Sequence, residues 1–117
     1  MKKILVMIRS APYGSTLAKD AIESALTVAV FGQSVSVLML GDGVFNALRS
    51  QVAKGSGFKD TSAMLQSLPL YEIEDIFLCK ESLFARGFGP ADCVIGTPIN
   101  FADTKALIAS HDVVLSF

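Results

Sequence analysis

Four short, mostly apolar stretches constrain this chain more than any other feature: KILVMIR at residues 3–9, SVSVLML at 34–40, DIFLC at 75–79 and DVVLSF at 112–117. Runs of that length and character read as strands covered on both faces. Between them, apolar residues recur at helical spacing. Leu17, Ala21, Ile22, Ala25, Leu26 and Ala29 form one such series, entered through Ser15 or Thr16 as N-cap and closed by Gly32. GDGVFNALRSQ turns sharply and begins a short helix. TSAMLQSLPLY predicts a helix capped by Asp60 or Thr61, and KESLFAR a short helix with Gly87 just beyond its end. DCVIG at 92–96 predicts a fourth, short strand, and DTKALIASH at 103–111 a last helix. The glycine-rich stretch VAKGSGFKD at 52–60 predicts a mobile surface loop, with 51–58 ordered only on assembly with partners.

Strands alternating with helices imply an α/β protein, a three-layer α/β/α sandwich around a mostly parallel sheet of about five strands, built as one domain over residues 1–117. Right-handed crossovers place the carboxyl ends of all strands along one edge, where α/β folds gather ligands and chemistry. SAPYG at 10–14, GDG at 41–43, Cys79 and GTP at 96–98 are all predicted to follow strands and to share that edge. His111, the single histidine, precedes the last strand and belongs to the opposite one.

Composition narrows the function classes. Hydrophobic residues make up 51% and charged residues 18%, so disorder is excluded and charge is sparse for coating a lone small domain. That balance points to apolar surface covered by other subunits. A net charge of −1 and the lack of any lysine or arginine run argue against direct nucleic-acid binding. MKKILVMIR resembles an export signal for a few residues, but Arg9 ends the run too early for an h-region or a membrane span. The expected compartment is the cytoplasm. Cys79 and Cys93 are far apart with no CxxC, which predicts two thiols, with no zinc site and no disulfide.

Cys79 is the candidate site residue. It stands where a strand meets a helix, and the free N–H groups of a helix start favour the negative charge a sulfur nucleophile needs. Lys80 assists and Glu81 opposes. The plainer reading is a small buried hydrophobe. A cysteine–histidine mechanism is disfavoured, because His111 falls on the wrong edge. Cys93, among apolar neighbours, reads as core. APYGS and KGSGFK could offer amides to an anion but lack dinucleotide or P-loop spacing. Arg9 and Ser10 occupy the place where a receiver domain needs paired acids for Mg²⁺. Asp42 suits a turn or helix cap, or a group orienting a partner or acting as a base near Cys79.

SAPYGSTLAKDAIESAL, GDGVFNAL, LPLYEIEDIFLCKESLFARGF and HDVVLSF together resemble the DsrE/DsrF/DsrH-like sulfur-relay family, in particular its TusC (DsrF-like) branch. The likeness runs in order over the whole chain; DGVF and CKESLFARG are its specific parts. It implies a three-layer α/β/α fold without cofactor or metal. It also implies assembly with TusB-like and TusD-like chains into a heterohexamer, a dimer of heterotrimers. Such a complex passes persulfide sulfur through a TusE-like acceptor toward 2-thiolation of the tRNA wobble uridine, without itself contacting nucleic acid or membrane. The related DsrEFH assembly serves sulfur oxidation. Cys79, followed by Arg86-Gly87 at the end of its helix, stands where the sulfur-accepting cysteine of TusD-type chains stands, whereas TusC-type chains act as structural partners. Two other classes stay open: a flavodoxin-like small-molecule or anion-binding module using APYG and GDG, and a stand-alone homo-oligomeric sulfurtransferase.

Overall fold

The computed structural model describes residues 2–49 and 60–117. Strands β1 (Lys3–Ile8), β2 (Ser34–Met39), β3 (Asp75–Cys79), β4 (Thr97–Ile99) and β5 (Val113–Ser116) form one sheet in the order β4-β3-β2-β1-β5. Every pairing is parallel. Helices α1 (Leu17–Val30), α2 (Thr61–Ser67), α3 (Lys80–Ala85) and α4 (Phe101–Ala109) fill the crossovers, with 3₁₀ turns at Gly41–Ala47, Leu68–Tyr71 and Pro90–Asp92. Steps from β1 to β4 all run one way across the sheet, so right-handed crossovers stack α1, α2 and α3 on one face. The return from β4 to β5 runs the other way and puts α4 alone on the second face.

The two faces differ in depth. On the first, Val6, Ile8, Val37, Met39 and Leu78 pack against Ala18, Ala21, Ile22 and Ala25 of α1 and against Leu65, Leu68 and Leu83. Alternation along the strands sends Leu5, Leu38 and Cys79 to the α4 face, where all three are buried. Burial of a Leu, Ile or Val side chain contributes about 1.5–3 kcal/mol, so this first layer carries most of the stabilisation.

Local chemistry sets most boundaries where the sequence places them. Asp60 caps α2, its Oδ1 accepting from the backbone N–H of Ser62 at 3.0 Å and of Ala63 at 3.3 Å. Gly32 follows α1 in the left-handed region at φ 82°, which a side chain rarely tolerates. At the start of α1, Thr16 holds the N-cap position without capping: its hydroxyl donates to Asp20 at 3.1 Å, while Ser15 Oγ accepts from Leu17 N at 3.4 Å. The last helix starts at Phe101 instead of 103, because Asn100 Oδ1 accepts from Asp103 N at 2.7 Å.

The expected strand at 92–96 is a correction. Asp92 folds back to accept from Gly89 N at 2.8 Å, and Cys93 bridges Leu48 antiparallel. Val94 N donates to Ala47 O at 2.8 Å and Arg49 N to Asp92 O at 2.7 Å, so this backbone is bonded away from β3. Gly96 at φ 103° then turns the chain, and β4 begins at Thr97. Pro98, lacking an N–H, is tolerated because β4 is an outer strand. The loop expected over 52–60 lies, except for Asp60, outside the described residues.

Candidate functional site

The carboxyl edge of the sheet holds the candidate site. Leu40 N donates to Ile8 O at 3.1 Å, which draws the Gly41–Ala47 turn over the end of β1. Gly43 makes this possible, since its backbone lies where a side chain would strike the Ile8 carbonyl. Asn46, fully buried in that turn, donates through Nδ2 to Ser10 O and Gly43 O, both at 2.9 Å, and its Oδ1 accepts from Thr61 Oγ1 at 2.7 Å. One amide therefore joins the first loop, the 3₁₀ turn and α2. The sequence shows it only as a polar residue inside GVFNAL, with no local pattern that signals this role.

Cys79 ends β3 and is the N-cap residue of α3, as expected, but only 3% of its surface is exposed. Its register partner is Ile99 of β4. The GTP segment is therefore not at this edge: Thr97 and Pro98 lie within β4, and Asn100 and Phe101 take the place expected of them. Around Cys79, α3 is tied down on two sides. Gly41 N donates to Ser82 Oγ at 3.0 Å, and Phe101 N donates to the Glu81 carboxylate at 2.9 Å. Glu81 thus serves the start of α4 instead of facing the cysteine.

Asp42 neither caps a helix nor serves Cys79. Its Oδ1 accepts from Arg86 Nε at 3.0 Å and lies 3.0 Å from Nη2 in an ion pair, while Arg86 Nη1 donates to Ser82 O at 3.0 Å. The Arg-Gly end of α3 is in this way clamped to the GDG turn. Three aromatics of these elements are exposed: Tyr13 of the first loop, Phe84 of α3 and Phe101 of α4. Lys80 Nζ lies 5.7 Å from the Phe84 ring centroid, and Lys105 Nζ the same distance from Phe101.

The remaining candidates lie elsewhere. His111 is on the opposite edge, its Nδ1 2.8 Å from Leu107 O, a contact in which Nδ1 carries the proton. Cys93 is half-buried and packs against the first-face core. Burial, then the neighbouring Asp92 carboxylate, push its thiol above the ordinary range, with Arg49 acting the other way. At the SAPYG loop, Asp20 and a Leu17 N–H already bonded to Ser15 work against anion binding. Among the described residues, no group of three or more His, Cys, Asp or Glu side chains is placed to hold a metal. No described helix is long and apolar enough to cross a membrane.

Residues 2–117 match the DsrE/DsrF-like family. The chain belongs to that family. A TusC homolog of Vibrio parahaemolyticus is 33% identical over 118 residues, covering 100% of both chains. The intracellular sulfur oxidation protein DsrF of Allochromatium vinosum is 42% identical over 94 residues, spanning 80% of this chain and 69% of DsrF. The crystal structure of the ychN protein from Escherichia coli superposes with a TM-score of 0.84 at 26% identity, covering 100% of both chains. This DsrE/DsrF-like chain thus has the α/β fold and the sulfur-relay relatives that CKESLFARG and DGVF implied.

Proposed function

We propose that this protein is a TusC-type subunit of a cytoplasmic sulfur-relay complex. Its partners are TusB-like and TusD-like chains in a heterohexamer, and the complex hands sulfur to a TusE-like acceptor for 2-thiolation of the tRNA wobble uridine. The observation that carries the reading is the end-to-end match with TusC proteins, over 100% of both chains. Sparse charge fits a chain made to be covered.

Sulfur transfer in such a complex is thiol–persulfide exchange. A thiolate attacks the terminal sulfur of a donor persulfide, a new S–S bond forms, the old one breaks, and the donor leaves as its thiolate. The attacking sulfur must be reachable. At 3% exposure, at the head of an α3 that is bonded to both the GDG turn and α4, Cys79 serves to pack the strand–helix junction. The persulfide is then carried by a partner chain, and this subunit supplies structure. Deleting the gene and measuring 2-thiouridine in bulk tRNA tests the function: loss of the modification, restored by both wild type and Cys79→Ser, is expected. Normal thiolation in the deletion strain refutes the tRNA role.

The match to DsrF, at 42% identity, favours a second reading in which the same subunit serves sulfur oxidation. Unchanged tRNA with impaired oxidation of reduced sulfur compounds in the deletion strain would select it.

A further inference from the structure

The edge opposite Cys79 carries a second surface that neither the fold nor the carboxyl-edge site uses. There α1 ends beside the Leu68–Tyr71 turn, and four large apolar side chains stand in solvent: Val30 and Phe31 at 76% exposure, Leu70 at 84% and Tyr71 at 54%. Between the two elements lies a cavity of about 410 Å³ with a mostly polar lining, to which Ala29, Val35 and Ile73 add apolar surface. Glu72, Glu74 and Asp75 are among its lining residues, and no lysine or arginine is among the described residues that line it. None of the three carboxylates forms an ion pair among the described residues. Lys2 and Lys3 lie nearby at the start of β1, Lys3 in register with Ser34 of the lining and the Lys2 backbone N–H donating to Gln33 Oε1 at 2.9 Å.

Side chains exposed to this degree add nothing to the core, and grouping them beside a cavity leaves a patch of the kind that marks a protein interface. The unpaired carboxylates decide what fits, because a docking surface with negative potential selects a partner of positive potential. We infer that this end of the molecule is a subunit-docking surface. Its occupant is a partner subunit that covers Val30, Phe31, Leu70 and Tyr71 with apolar surface of its own and sets lysine or arginine against Glu72, Glu74 and Asp75. This rests on the complex-subunit reading above and deepens it by naming the surface and the chemistry it recognises.

The test is co-expression of the whole chain with its TusB-like and TusD-like subunits, read by size-exclusion chromatography at low and high salt. Phe31→Asp with Leu70→Asp, Glu74→Lys alone, and Phe84→Asp on the other edge are compared with wild type, each checked for native circular dichroism. Expected is loss of assembly in the double variant. Glu74→Lys should weaken binding at least tenfold and flatten its salt dependence, and Phe84→Asp should assemble as wild type does. If wild type assembles and the double variant and Glu74→Lys do so within twofold of it, the docking surface is refuted and the complex reading stands. Failure of wild type to bind either subunit refutes both. A wild-type homodimer abolished by Leu70→Asp makes a second copy the occupant and overturns the proposed partner.

Discussion

Replacing Gly43 by Ala tests how the carboxyl edge is assembled. A Cβ at that position would stand 1.8 Å from Ile8 O and 2.6 Å from Ile8 C, both backbone atoms that no rotamer change can move. An ordinary carbon–oxygen contact is about 3.4 Å, so the turn must lift from β1 by on the order of 1.5 Å. That movement breaks the 3.1 Å bond from Leu40 N to Ile8 O and pulls Asn46 from its partners. Overpacking costs about 1–3 kcal/mol and a lost buried hydrogen bond about 1 kcal/mol more, giving a destabilisation of roughly 2–4 kcal/mol. Urea unfolding followed by circular dichroism should then show a midpoint lowered by on the order of 1–2 M. Gly89→Ala is the control, since nothing lies within 4 Å of the added methyl; it should stay within about 0.5 kcal/mol of wild type. Equal midpoints for Gly43→Ala and wild type would refute the close approach of the turn to β1.

Other substitutions separate the roles of neighbouring groups. Asn46→Ala removes the donor to Ser10 O and Gly43 O and the acceptor of Thr61 Oγ1. It should cost about 2–4 kcal/mol in the same assay, because buried polar groups lose their partner. Arg86→Ala should cost less than about 1 kcal/mol, since Asp42 and Arg86 are both partly solvated; a large loss would show the clamp to be a core element. The Cys93 thiol, raised by burial and by Asp92, binds its proton more tightly in the folded state. Its contribution to stability is therefore full below the ordinary thiol range and is lost as pH rises through that range toward the raised value. Its alkylation by iodoacetamide should have a pH profile displaced upward from that of free cysteine, and a profile matching free cysteine would contradict the assignment.

The sheet was legible because buried parallel strands write themselves as apolar runs. DIFLC marks β3 from Asp75 to Cys79 without error, and β1 and β2 differ from their runs only at the ends. The fourth strand was misplaced because DCVIG is more apolar than TPI. Hydropathy cannot show that Val94 bonds to Ala47 and Asp92 to Arg49, on either side of the Leu48–Cys93 bridge, leaving the proline-bearing segment to pair with β3. At the candidate site, the position of Cys79 before a short helix was readable from KESLFAR and Gly87. The sequence offered two readings of it, a reactive thiol or a small buried hydrophobe, and only the tertiary fold shows the burial. The clamp of Asp42 on Arg86 joins residues 44 positions apart, so no local pattern announces it.

The most direct measurement is the intact mass of every chain in the co-purified complex after exposure to a persulfide donor, with Cys79→Ser and Cys93→Ser complexes alongside. The account predicts that this chain co-purifies with its partners and keeps its mass, while a partner chain gains one sulfur atom. An added sulfur on this chain that vanishes only in Cys79→Ser would contradict it and make Cys79 a relay cysteine.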